Sequence, residues 1–135
     1  VGAMFGEAVV FTHGNMPKNF VTLVKQHGAL LAKGWLLGVQ FDTLFTDDLY
    51  CRIARHANDA ADRIREVLVE RGYTLTFDAP TNQIFITLDN ATSERLQRNV
   101  RLGFMEKADD THTVMRICTS WATTDEQVEQ LIALL

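Results

Sequence analysis

Proline and cysteine are scarce in this 135-residue chain, with two of each, and neither cysteine stands in a Cys-x-x-Cys pair. Cys51 and Cys118 fit a reduced intracellular, cytoplasmic protein better than a disulfide scaffold, although one bridge between them stays open at this level. The four histidines, His13, His27, His56 and His112, are scattered. No set has the spacing a tetrahedral metal site needs, so no metal is expected. The two serines, Ser93 and Ser120, stand in no nucleophile elbow. Gly2 and Gly6 fall short of a phosphate-binding loop. The formal charge of −4 offers no basic face to nucleic acid. No apolar run approaches the roughly 20 residues of a membrane span. Internal repeats are absent too.

What is present is the composition of a folded domain, 47% apolar and 22% charged, long enough to bury a core. The chain opens on Val1-Gly2-Ala3-Met4-Phe5-Gly6-Glu7-Ala8-Val9-Val10-Phe11 without an initiator methionine. The reading is that it begins inside a longer protein whose upstream residues carry part of the function. Glu7 to Thr12 reads as a short buried strand. Pro17 starts a helix running to Gln26 on Phe20, Leu23 and Val24, and His27-Gly28 stops it. From Gly34 to Phe45 comes a helix-length stretch that is apolar almost all round. Such a helix is either central core or covered by a partner subunit or a further domain.

Thr46-Asp47-Asp48 is expected to start the longest helix, with acids at its positive end. Its stripe is Leu49, Ile53, Ala57, Ala60, Ile64, Val67 and Leu68, and Gly72 ends it. Arg63, Arg65, Glu66 and Glu70 read as a solvated face. After Gly72 the period changes to two: strands are predicted at 73–77 and 83–88 around the Asp78-Ala79-Pro80-Thr81-Asn82 turn. Asn90 caps a short helix through Leu96 and Val100. Strands follow at 103–106 and 112–118, then a capping box at Thr124-Asp125-Glu126-Gln127 opens a last helix bearing Val128, Leu131, Ile132 and Leu135. From the long helix onward this is an α+β pattern, an antiparallel sheet backed by helices.

Few residues draw attention as chemistry. Cys118, on an interior strand, reads as a small core residue. Arg116 stands between Met115 and Ile117 in a strand, where a guanidinium is costly unless paired. Its planar fork suits a substrate carboxylate, an internal Asp or Glu, or solvent at an edge strand. Lys25 and Lys33 bracket Lys25-Gln26-His27-Gly28-Ala29-Leu30-Leu31-Ala32-Lys33-Gly34, as solvated lysines or as an anion contact beside mobile glycines.

Taken together, three segments resemble threonine aldolases, members of the β-eliminating lyase group of fold-type-I pyridoxal-phosphate enzymes. Residues 2–11 resemble the stretch after the cofactor lysine of that family. Residues 25–34 resemble its basic, Gly-bearing segment near the cofactor, and Met115-Arg116-Ile117-Cys118-Thr119-Ser120-Trp121 resembles the strand with the carboxylate-binding arginine. The resemblance implies the C-terminal small domain of the aminotransferase-like fold over 47–135. Residues 1–46 would then be the end of the large domain and its connecting helices. It implies Arg116 as the substrate-binding residue and Lys33 near the phosphate of pyridoxal phosphate, where many relatives carry arginine. The Schiff-base lysine would lie just before Val1, so no catalytic residue is expected in this chain and the chain alone should be inactive. The complete enzyme would be a homodimer or homotetramer that cleaves threonine to glycine and acetaldehyde. A lyase for another amino acid, or a free-standing α+β binding or oligomerisation module, are the alternatives.

Overall fold

The computed structural model describes residues 2–135, and Val1 lies outside the described residues. The chain divides into two compact units, residues 2–49 and 50–135.

In the first unit α1 spans Phe20–Gln26 and α2 spans Trp35–Phe45. Pro17 stands just ahead of α1, and its carbonyl accepts from Phe20 N–H at 3.0 Å. The helix ends as a full Schellman motif. Gly28 takes φ +69°, Gly28 N–H donates to Lys25 O, and Ala29 N–H donates to Val24 O. Phe11 packs edge-on against Phe20, with ring centroids 5.0 Å apart. Gly6 lies against α2, close enough that a Cβ there would stand 3.5 Å from the Phe41 ring. Met4 N–H donates to Gln40 Oε1 at 2.8 Å.

One expectation fails here, and one alternative is removed. Residues 7–12 form no strand, and Val9 and Val10 are exposed. An extended segment becomes a strand only when another edge takes its backbone groups, and a run of apolar residues does not supply that edge. Secondly, α2 is not the central core helix that was one alternative: Trp35, Val39 and Phe45 are more than half exposed in this chain. That leaves the reading of a helix covered by a partner subunit or a further domain.

The second unit carries the sheet and the core. Helix α3 spans Leu49–Glu70, followed by β1 (Thr74–Leu75), β2 (Gln83–Asp89), α4 (Asn90–Gln97), β3 (Gly103–Lys107), β4 (His112–Cys118) and α5 (Asp125–Leu134). The strands form one antiparallel sheet in the order β1-β2-β4-β3. The α+β expectation is met. Helix α3 starts one residue after the acids because Asp47 and Asp48 both take positive φ, 50° and 59°. Aspartate tolerates that region better than most residues, but it places the pair outside the helix rather than in its first turn.

The core follows the predicted stripe. Ala60, Ala61, Ile64 and Leu68 of α3 pack with Ile84, Ile86 and Leu88 of β2, Met115 and Ile117 of β4, Leu96, Val128 and Leu131. In the β2–β4 register Ile84 faces Ile117 and Ile86 faces Met115. These pairs share the face that meets the helices. The intervening pairs, Gln83 with Cys118 and Phe85 with Arg116, lie on the opposite face. Cys118 is therefore exposed and free, as is Cys51, and no disulfide joins them. Its strand is central in the sheet, yet the residue is not core, because alternation turns it away from the helices.

Arg63 and Arg65 also depart from the solvated-face reading. Arg63 forms ion pairs with Asp125 and Glu129 of α5. Arg65 pairs with Asp62 and donates to the carbonyls of Ala79, at 2.7 Å, and Thr81, at 3.1 Å, pinning the turn after β1. That turn leaves β1 with two residues rather than the five expected. The cap of α4 is Asp89, accepting from Thr92 N–H at 2.9 Å, one residue before the expected Asn90. Backbone N–H bonding to Asp89 by Thr92 holds its carboxyl below the usual range. The capping box of α5 forms as expected between Thr124 and Gln127.

Gly72 closes α3 with the same motif as Gly28. Its φ is +79°, Gly72 N–H donates to Val69 O at 3.0 Å, and Tyr73 N–H donates to Leu68 O at 2.9 Å. Beyond its immediate chain neighbours, nothing lies within 4 Å of the position a Cβ would take. Gly72→Ala should therefore lower stability by about 1 kcal/mol through backbone conformation alone. Urea unfolding monitored by circular dichroism checks it; a loss above about 3 kcal/mol would show a steric role instead.

Candidate substrate-carboxylate site

Arg116 is the most unusual side chain of the second unit. It sits in β4, flanked on both sides by strands, and is partly buried. The solvent-edge reading is thereby removed. Its Nη1 donates to Gln83 Oε1 at 3.2 Å, while its Nε is buried with no hydrogen-bond partner. Among the described residues no carboxylate forms an ion pair with it. A half-buried guanidinium with one neutral acceptor and an orphaned donor is under-satisfied. It has the donor set for an added carboxylate, which could take two parallel N–H bonds from the fork.

Two neighbours flank this side chain. Gln83 comes from β2, in register with Cys118 two residues beyond Arg116. Gly103 of β3 is directly paired with Arg116, and a Cβ there would meet Arg116 O at 3.4 Å and Nε at 3.5 Å. Neither Gln83 nor Gly103 stands out from the sequence as a functional residue. The one available signal was the glycine opening a strand, which marks a close backbone or side-chain approach. On the same open face Phe85 stacks with Phe77, centroids 4.6 Å apart.

Lys33 lies in the other unit, exposed in the turn before α2, where its carbonyl accepts from Leu36 N–H at 3.0 Å. Lys25 is in the last turn of α1, where a cation complements the helix dipole. Ser93 is buried and accepts from Gln97 Nε2 at 3.1 Å; Ser120 is exposed and braces the turn before α5. Both serines serve local structure.

A polar depression of the second unit, about 550 Å³, lies beside Arg71, Thr87, Asp89, Asp109 and His112. Its polar groups are already engaged. Asp109 accepts from Thr111 N–H at 2.6 Å, Thr111 Oγ1 at 2.7 Å and His112 N–H at 2.8 Å. These bonds, led by the Thr111 hydroxyl, hold its carboxyl far below the usual range. Arg71 Nη1 donates to Ile132 O. The group is a turn and its braces. No cluster of His, Cys, Asp and Glu suited to a metal occurs among the described residues. No helix among them is long and apolar enough to cross a membrane.

The fold and the setting of Arg116 define an α+β unit with an under-satisfied guanidinium in mid-sheet. Comparison with known proteins places it further. No protein-family model matches the chain. It is 28% identical over 131 residues to a low specificity L-threonine aldolase of Pseudomonas aeruginosa, which accounts for 96% of this chain and 37% of that protein. A Pseudomonas sp. protein of the same description is 28% identical over 133 residues, 98% of this chain and 38% of its own. Among solved structures, Leishmania major threonine aldolase superposes with TM-score 0.83 and 35% identity, over 87% of this chain and 34% of that one. A Sphingomonas wittichii serine palmitoyltransferase shares the fold at TM-score 0.50 and 22% identity, over 59% of this chain and 22% of that one. The chain thus resembles threonine aldolases along nearly its whole length, and it spans little more than a third of the length of those relatives.

Proposed function

We propose that this chain is the C-terminal part of a pyridoxal-phosphate-dependent lyase that cleaves β-hydroxy-α-amino acids, threonine to glycine and acetaldehyde. The observation that carries the reading is Arg116: a guanidinium in mid-sheet, without a carboxylate partner and with a buried, unbonded Nε. Similarity to L-threonine aldolases supplies the substrate class. Residues 47–135 would form the small domain, and 1–46 the end of the large one.

The residues fit one end of this chemistry. Arg116 presents free N–H groups for an α-carboxylate and would hold the amino acid in a fixed orientation, so the Cα–Cβ bond is aligned for cleavage. Lys33 would lie near the cofactor phosphate, as a point charge in place of an arginine. Pyridoxal phosphate, when bound, supplies the electron sink for the breaking bond. In this reading the lysine that anchors the cofactor comes from residues before Val1, and the complete enzyme is a cytoplasmic homodimer or homotetramer. The exposed apolar side chains of α2, Trp35, Val39 and Phe45, suit such an assembly.

The test is an assay of the full-length protein on threonine, serine and aromatic amino acids. Acetaldehyde and glycine from threonine are expected, and no acetaldehyde from residues 1–135 alone supplied with pyridoxal phosphate. Ammonia and a keto acid from serine or an aromatic amino acid, without aldol cleavage, would assign a different lyase. Turnover by the isolated chain would overturn the division of labour.

A further inference from the structure

Resting on the reading of Arg116 as the carboxylate anchor, we propose that Gln83 is its positioning residue, chosen for an acceptor without charge. A guanidinium in mid-sheet needs an acceptor to fix its rotamer. The usual one, Asp or Glu, would also neutralise it and occupy the face of the fork that an incoming carboxylate requires. Here the acceptor is the amide oxygen of Gln83, 3.2 Å from Nη1. Among the described residues none of the ion pairs involves Arg116. The arginine is therefore held without an ion-pair partner among the described residues.

Gly103 lies on the opposite flank. It is paired with Arg116 across β3 and β4, and the space a Cβ would fill is bounded by Arg116 O at 3.4 Å, Nε at 3.5 Å and Cβ at 3.6 Å. A Cβ at 103 would therefore stand in ordinary van der Waals contact with the arginine. Gly103 is not in the left-handed region that would make glycine a backbone requirement.

The experiment compares Gln83→Met, Gln83→Glu and Arg116→Lys in the full-length protein. Each is read by KM and kcat for threonine, by calorimetric Kd for glycine, and by thermal midpoint. Methionine keeps the length of the side chain and removes the acceptor. It should raise KM and Kd by roughly 3- to 5-fold with kcat within about 2-fold, the loss of one modest hydrogen bond. Glutamate keeps the shape and adds the charge. It should raise both by about 10-fold or more, without a lower midpoint, because it satisfies Arg116 internally.

A purely structural Gln83 would make glutamate no worse than methionine for glycine binding, and that result overturns the proposal. Arg116→Lys separates the two levels. Unchanged glycine affinity in that variant removes the carboxylate reading itself. Weakened affinity there, with glutamate at 83 no worse than methionine, removes only the role of Gln83. Should Gln83→Glu fail to fold, Gln83→Met carries the test. A several-fold rise in glycine Kd at native midpoint is expected, and unchanged affinity would overturn it.

Discussion

Arg116→Lys in the full-length protein is expected to reduce kcat/KM for threonine by roughly 100-fold, about 3 kcal/mol of transition-state stabilisation. Lysine keeps the charge but not the fork, so two parallel N–H bonds to a carboxylate become one mobile contact. Folding should scarcely notice. Within the described residues Arg116 has one side-chain hydrogen bond, to Gln83, and its Nε bonds nothing. The stability at stake is therefore about 1 kcal/mol. The measurements are steady-state kinetics beside urea unfolding of the same preparation. Parallel losses in both would show that the arginine is a structural tie and would remove the carboxylate assignment.

Leu68→Ala should do the reverse. Leu68 is fully buried, packed among α3, β2, α4 and α5 residues of the core, and it is also the residue whose carbonyl receives Tyr73 N–H at the end of α3. The backbone bond survives the substitution; the side-chain volume does not. A truncation at such a site costs about 3–5 kcal/mol, transfer of the lost methyl groups plus the cavity left behind. Against a typical total of about 5–15 kcal/mol, that is roughly a fifth or more of the stability. Val69→Ala, at the next position and largely exposed, is the control and should change stability by less than about 0.5 kcal/mol. Unfolding of the 135-residue chain in urea reads both. Equal effects at 68 and 69 would mean that the helix stripe has been assigned to the wrong face.

Much of this architecture was legible because it is written in short-range chemistry. The glycines at 28 and 72 end helices through a left-handed residue and two backbone bonds, all within six residues. Thr124 and Gln127 satisfy each other's backbone across one turn. The stripe from Ala57 to Leu68 and the alternation of Ile84, Ile86 and Leu88 follow from helix and strand periods. The presence of an arginine between two core residues was also readable, and so was the short list of partners that could satisfy it.

The failures have a common origin. Residues 7–12 have the composition of a strand and pair with no edge among the described residues. Cys118 looked interior because its strand is interior, but the face it occupies depends on the β2–β4 register. Arg63 and Arg65 looked solvated until α5 and the 79–81 turn came within reach. Asp89 rather than Asn90 caps α4, while Asn90 reaches Asp110 O across the sheet end. In each case the deciding partner is remote in sequence.

Arg116 shows where the two kinds of information divide. Its residue type and its strand were available from the chain: periods of two and 3.6, turn glycines and caps act over a few residues, so elements and their apolar faces follow from sequence alone. That its acceptor is neutral Gln83, that Gly103 lies across from it on β3, and that no acid of the described residues neutralises it were decided only when β2, β3 and β4 paired. Register is set by long-range packing of the whole sheet against its helices, and a side chain's charge balance is settled by whichever neighbours that packing brings.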